Sequence, residues 1–190
     1  MSLLPIYTYN DPALRKVAEP VEEDSRELQE FITDLFQTMY QASGVGLAAP
    51  QVGRSMRLFV VDTSGITEDD EEESDSGPLT FINPEIIRKS EKTVRMEEGC
   101  LSIPDVRDQV SRPEQITVRY LDRHFEEQEL TAGDWLARVV QHELDHLNGV
   151  LFLDHLSAFR RRLHRAALKE IEEGLAETEY PVVTKFQKES

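Results

Sequence analysis

The run Gln141-His142-Glu143-Leu144-Asp145-His146-Leu147-Asn148-Gly149 constrains this chain most tightly, because it writes an HExxH motif into an apolar stretch with helical spacing. Residues four apart lie on one face of an α-helix, one turn from each other, so His142 and His146 can share a metal ion through their ring nitrogens. Glu143 is next to a ligand without being one, and is placed to take a proton from a water activated by that ion. Val139, Val140, Leu144, Leu147, Val150 and Leu151 recur at three- and four-residue intervals. That spacing predicts a helix buried over much of its circumference and ended by Gly149.

HExxH fixes only three residues, and histidines four apart near an apolar face can equally be satisfied core residues. A mononuclear catalytic site needs a third protein ligand. In the longer HExxHxxGxxH pattern it would be a histidine at position 152, but that residue is Phe152, despite the glycine at Gly149. A downstream glutamate, Glu170 or Glu172, would make the chain an HExxH zinc peptidase, although both sit in a charged helical stretch that reads as a solvated face.

At 190 residues the chain is long enough for one domain with a substantial core and short for two, so residues 1–190 are expected to form a single domain. No apolar run approaches the roughly 18 residues that would span a membrane. The N-terminal run Met1 to Tyr7 lacks the basic and then apolar pattern of a signal peptide, so the expected location is the cytoplasm. A net charge of −16 argues against general binding to DNA or to anionic membranes. Seven of those charges fall between Glu68 and Asp75, inside an acidic stretch at 64–78 that reads as a mobile surface loop. The lone cysteine, Cys100, excludes an internal disulfide and is either a small buried hydrophobe or a candidate ligand.

Along the chain, residues 5–21 read as extended, with a turn at Asn10-Asp11-Pro12. Ser25 is placed to cap a helix to about Gln41, carrying Leu28, Phe31, Ile32, Leu35, Phe36 and Met39 toward a core. Residues 44–51, GVGLAAPQ, break the helical pattern. They read either as a tight turn of small residues or as a place where backbone approaches a ligand, with Gln51 offering an amide donor. Strands are expected at Arg57–Asp62, across Glu85–Met96 and at Gln115–Leu121, and a further helix from Ser157 to about Glu173; the tail at 180–190 has no clear reading. Strands followed by helices, without regular alternation, point to an α+β fold.

Three short motifs, GVGLAAPQ at 44–51, EGCLS at 98–102 and QHELDH at 141–146, together with the DPALRKVAEPV run at 11–21, resemble the signature motifs of the peptide deformylases. The resemblance covers about residues 5–170. It implies antiparallel and mixed β-sheets packed around a central metal-binding helix that carries HExxH, with helices near both ends of the chain. It makes Cys100 the third ligand beside His142 and His146, and ferrous iron the expected ion, with zinc, nickel or cobalt able to take its place. The reaction it implies is hydrolysis of the N-formyl group from formyl-methionyl nascent peptides. Glu143 would serve as base, and the Gln51 amide and Leu101 N–H as donors to the developing oxyanion. Val45, Gly46 and Gly99 would bind the peptide backbone, while Val45, Trp135, Val139 and His142 line the methionine pocket. Asp145 reads as a carboxylate that steadies the site from behind. The helix at 158–169 carries five basic residues and no acidic one, and is either a solvated face or a surface for the ribosome.

Overall fold

The computed structural model describes residues 3–66 and 77–184. Its elements run β1 (Ile6–Tyr7), α1 (Arg26–Gln41), β2 (Gly46–Ala48), β3 (Leu58–Val61), β4 (Leu79–Lys89), β5 (Thr93–Cys100), β6 (Ile103–Pro113), β7 (Ile116–Leu121), β8 (Glu127–Ala132), α2 (Asp134–Leu147), α3 (Ala158–Leu163), α4 (Arg165–Glu172) and β9 (Val182–Val183). The acidic stretch between 67 and 76 and the tail from 185 onward lie outside the described residues. No helix among the described residues is long and apolar enough to cross a membrane.

The fold is α+β, built on a five-stranded antiparallel sheet in the order β2-β3-β4-β7-β8. Side chains of a strand alternate between its two faces, and β3 is apolar on both. Leu58 and Val60 join the core beneath α1, while Phe59 and Val61 join the core beneath α2. Phe59 stacks on Phe81 with centroids 4.8 Å apart, and Phe81 lies 4.3 Å from Tyr120, closing the α2 side. Burying each such side chain contributes roughly 1.5–3 kcal/mol, so β3 alone supplies a large share of the driving force at the centre of the molecule.

Helix α1 starts where Ser25 Oγ accepts a hydrogen bond from the Leu28 N–H at 3.1 Å, and it buries Leu28, Ile32, Leu35 and Met39 along one face. Helix α2 is sunk among the strands, with Leu136, Val140, His142, Glu143, His146 and Leu147 all buried. It stops at Asn148 and Gly149. The glycine has φ +71°, and a Cβ there would lie 2.5 Å from the Arg15 carbonyl oxygen. The N-terminal segment passes directly against this helix end, where the Ala18 N–H donates to the Leu147 carbonyl at 2.8 Å.

The β5–β6 hairpin forms a second sheet, and a third core cluster joins its Ile103, Val106 and Val110 to Leu151, Phe152, Leu168 and Ile171. A third, parallel pair brings the two ends of the chain together, Ile6 opposite Val182 and Tyr7 opposite Val183. This gives the first part of the 180–190 tail a definite place.

Two expectations need correction. The strand expected across Glu85–Met96 is two strands belonging to different sheets: Ser90 Oγ donates to the Lys92 carbonyl and accepts from the Gln115 N–H, fixing a turn between β4 and β5. The helix expected from Ser157 to Glu173 breaks at His164, whose Nε2 lies 2.7 Å from Asp108 Oδ2 on β6. That contact holds the residue at a 3-10 corner, where its N–H bonds the Arg161 carbonyl three residues back. Strands β6 and β8 carry no sequence expectation at all.

Candidate active site

One cavity of about 510 Å³ opens between α2, β2 and the tip of the β5–β6 hairpin. Gln51, Glu143, Cys100, Leu101 and His142 line it, as do Val45, Gly46, Gly99, Trp135 and Val139. Of the expected ligands, catalytic residues and substrate-binding residues, His146 alone stands behind this wall, 1% exposed, with its Nε2 3.3 Å from Cys100 Sγ.

Cys100, His142 and His146 each offer one donor atom, and the three lie within 4.8 Å of one another. One thiolate and two imidazole donors on bonds of about 2.0–2.3 Å sit roughly 3.5 Å apart around a tetrahedral ion, so the separations suit a metal. Neither Glu170 nor Glu172 belongs to this donor group, and Glu170 is exposed on α4, which removes the basis for the HExxH zinc peptidase reading. Phe152, at the position where a third histidine would stand, stacks on His142 with centroids 6.2 Å apart. The third donor atom of the group is instead the Cys100 Sγ.

The two histidines are supported differently. His142 Nδ1 lies 2.9 Å from Glu98 Oε2, which turns Nε2 toward the site. Glu98 in turn accepts from Arg112 Nε at 2.7 Å, Arg112 Nη2 at 3.0 Å and Arg138 Nη1 at 2.7 Å. Arg112 continues to Asp145 Oδ2 at 2.8 Å, which also receives His155 Nε2 at 2.7 Å. Burial pushes the Glu98 carboxyl up, but the hydrogen bonds from His142 and Arg112 and the Arg112 charge outweigh it, holding Glu98 well below the usual carboxylate range. Burial likewise disfavours charge on His142, yet Cys100 and Glu98 beside it hold its pKa well above the ordinary value; the same surroundings favour a cation between the donors. His146 Nδ1 is buried with no hydrogen-bond partner among the described residues, and burial holds this imidazole well below its ordinary pKa, in the neutral form a metal ligand needs.

The amide of Gln51 is oriented from behind. Its Oε1 accepts from the Ala48 N–H at 2.8 Å, so Nε2 points into the site, 3.5 Å from Cys100 Sγ and 3.2 Å from Ser102 Oγ. Glu143 is 4% exposed, and its Oε2 has no hydrogen-bond partner among the described residues. Burial is the main reason its pKa rises to about 7. A Cβ at Gly46 would lie 2.5 Å from Glu143 Oε1 and 2.8 Å from Val139 Cγ1, so only glycine lets β2 lie against the carboxylate.

Sequence reasoning left Glu98 without a role although it opens the EGCLS motif, and passed over Arg112 and Tyr180. Glu98 could have been found as an acid within a motif that otherwise supplies a ligand. Arg112 and Tyr180 carry no local signal.

The model of the polypeptide deformylase family matches residues 3–162. A peptide deformylase of Salinibacter ruber is 55% identical over 186 residues, covering 96% of this chain and 95% of the relative, and one of Chlorobaculum parvum is 46% identical over 180 residues, covering 95% and 94%. Among solved structures, a peptide deformylase from Legionella pneumophila is similar with a TM-score of 0.82 at 42% identity, covering 93% of this chain and 99% of that one. One from Ehrlichia chaffeensis in complex with actinonin is similar with a TM-score of 0.83 at 39% identity, covering 93% and 100%. Likeness at this level spans the hairpin that supplies Cys100 as well as the helix that supplies both histidines, and on that ground the chain belongs to the polypeptide deformylase family.

Proposed function

We propose that this chain, acting as a single domain, hydrolyses the N-formyl group from the N-terminal formyl-methionine of nascent polypeptides and releases formate. The observation that carries the reading is the convergence of an oriented Gln51 amide, a buried Glu143 carboxylate and the Cys100-His142-His146 donor group at one cavity. A divalent ion held by those three donors supplies Lewis acidity to the formyl oxygen and the attacking water.

The remaining work falls to the chain's own groups. Glu143 takes the proton of the attacking water at its unpartnered Oε2 and returns it to the leaving amine. Burial raises its carboxyl above the ordinary range, which suits a group that must give the proton back as well as take it. Gln51 Nε2 and the Leu101 N–H donate to the formyl oxygen as negative charge builds there, each such donor lowering the barrier by roughly 3–4 kcal/mol. Val45, Gly46 and Gly99 present backbone groups to an extended peptide, and Val45, Trp135 and Val139 receive the methionine side chain. Arg138 serves as a strut in the cavity wall, bonded to Glu98 and to the carbonyls of Val94 and Val110.

The resident ion in this reading is ferrous iron, a thiolate with two imidazoles also suiting zinc, nickel or cobalt. The protein works in the cytoplasm, where its substrate is made. Protein purified without oxygen is expected to carry iron and to release formate from a formyl-Met peptide. Glu143→Ala should lower turnover roughly a hundred- to ten-thousandfold while the metal content stays unchanged. Metal lost together with activity would refute the proton-transfer role of Glu143.

The ribosome is the proposed partner of the basic face. Arg160 is engaged by Asp108, while Arg161, Arg162 and Arg165 are exposed. Reversing those three charges should weaken sedimentation with ribosomes in a salt-dependent way and leave hydrolysis of a short formyl-Met peptide unaffected. Equal sedimentation of variant and wild type would refute docking through this face.

A further inference from the structure

The tip of the β5–β6 hairpin is poorly held by its own ladder. Cys100 pairs with Ile103 across the turn residues Leu101 and Ser102, but the preceding residue of β5, Gly99, is opposite Arg107, so Pro104, Asp105 and Val106 bulge from β6 and leave that one pair separated from the rest of the ladder. Asp105, inside the bulged side, has φ +59°. Bulges leave backbone groups unpaired, and the tip must find partners elsewhere. Both ends of the chain provide them. The Ser102 carbonyl accepts from the Tyr9 N–H at 2.8 Å, and the Leu101 carbonyl accepts from Tyr180 Oη at 2.8 Å. The segments that supply these donors are bonded to each other, with the Ile6 N–H on the Pro181 carbonyl at 2.9 Å and β1 paired to β9. Thr178 Oγ1 donates to the Tyr180 carbonyl at 2.8 Å, steadying the turn that carries the ring, and Glu177, Thr178 and Tyr180 all line the active-site cavity.

We infer that Tyr180 is a positioning residue for deformylation, holding the Leu101 carbonyl so that the Leu101 N–H stays aimed at the formyl oxygen. The inference rests on the reading that this N–H donates to the oxyanion. The φ and ψ of Leu101 connect the peptide that carries its N–H to the peptide that carries its carbonyl. With Cys100 fixed on one side and the carbonyl fixed on the other, the N–H cannot swing away. Without the hydroxyl, the bulged tip regains that freedom, and the donor must be reordered at the moment charge develops. An interaction realised only in the transition state alters kcat and leaves KM alone.

Tyr180→Phe removes the hydroxyl and keeps the ring that packs on the α1 core. Per metal-loaded protein, the variant should show kcat lowered roughly three- to tenfold, the range expected from loss of one neutral hydrogen bond, with KM and metal content unchanged and a melting temperature lowered by a few degrees at most. Amide hydrogen exchange across residues 100–103 should be faster than in the wild type, a readout independent of turnover. A kcat within twofold of wild type, unchanged exchange at the tip, or a fall in kcat matched by lost metal or a larger loss of stability would overturn the inference. Wild-type protein that fails to deformylate would overturn the underlying reading as well, whereas an active wild type with an equally active variant overturns this inference alone.

Discussion

Glu98 and Asp108 are register partners on the β5–β6 hairpin, both buried and both bonded to more than one cationic side chain, yet they serve different ends. The partners of Glu98 are Arg112, Arg138 and His142, all of them buried. The partners of Asp108 are Arg160, half exposed, and His164, about one-fifth exposed. From the same face of the hairpin, the first carboxylate reaches inward to a histidine of the site, while the second, itself buried, reaches the outer helices α3 and α4 and ties them to the hairpin. Loss of Glu98 would strand two guanidinium groups away from water, while loss of Asp108 would leave Arg160 free to hydrate. The same chemical group therefore braces a histidine of the candidate site in one place and fastens helices in the other.

The largest expected effect comes from breaking the inward side. Glu98→Ala should destabilise the protein by on the order of 3–5 kcal/mol, because buried charges lose their counter-charge. It should also weaken metal affinity about 10- to 100-fold through the unsupported His142 imidazole. Chemical denaturation and metal titration of the variant would measure both, and a variant with wild-type metal affinity would show that the Glu98 contact does not set the His142 ring. A smaller effect is expected on the outward side. Asp108→Asn should lower the melting temperature by a few degrees at neutral pH, with metal content and kcat unchanged, and a collapse of kcat would mean that the two carboxylates are coupled through the hairpin.

Acid sharpens the comparison further. Hydrogen bonds from Arg160, joined by those from His164 and the Gln109 N–H, outweigh burial and hold the Asp108 carboxyl down at about 2, against an ordinary value of 3.8. A group whose folded pKa is depressed gives stability that is present above its unfolded value and lost as pH falls through its folded value. The stability gap between wild type and Asp108→Asn should thus be full above about pH 4 and close toward about pH 2. Thermal melts across that range would measure it, and a gap that stays constant down to pH 2 would contradict the pairing.

The same two carboxylates show where the sequence is readable. Its periodic and capped pieces are plain: Ser25 starts α1, Gly149 follows the end of α2, and the three small motifs meet at one cavity. Strand β6 is hidden because its buried alternate positions hold Asp108 and Arg112 as well as Val106 and Val110, so hydrophobic alternation breaks down where the ion pairs form. Strand β8, EQELTA, is an edge strand with mostly exposed or half-exposed side chains and little apolar content to mark it. The break at His164 depends on a carboxylate 56 residues earlier, and no local rule reaches that far. Motif residues report the chemistry, whereas the residues that hold them in place are recruited by topology.

The pairing of β1 with β9 also bears on time. A ribosome delivers residues in order, so Ile6 emerges early and must wait for Val182 before the parallel pair can close. Contacts so distant in sequence are slow to form and tend to come late. Tyr180 arrives with that last strand, and until it docks the Leu101 carbonyl lacks its hydroxyl partner. The fold can therefore collapse around α2 beforehand, but the clasp over the hairpin tip waits until the segment carrying Tyr180 and β9 has been made.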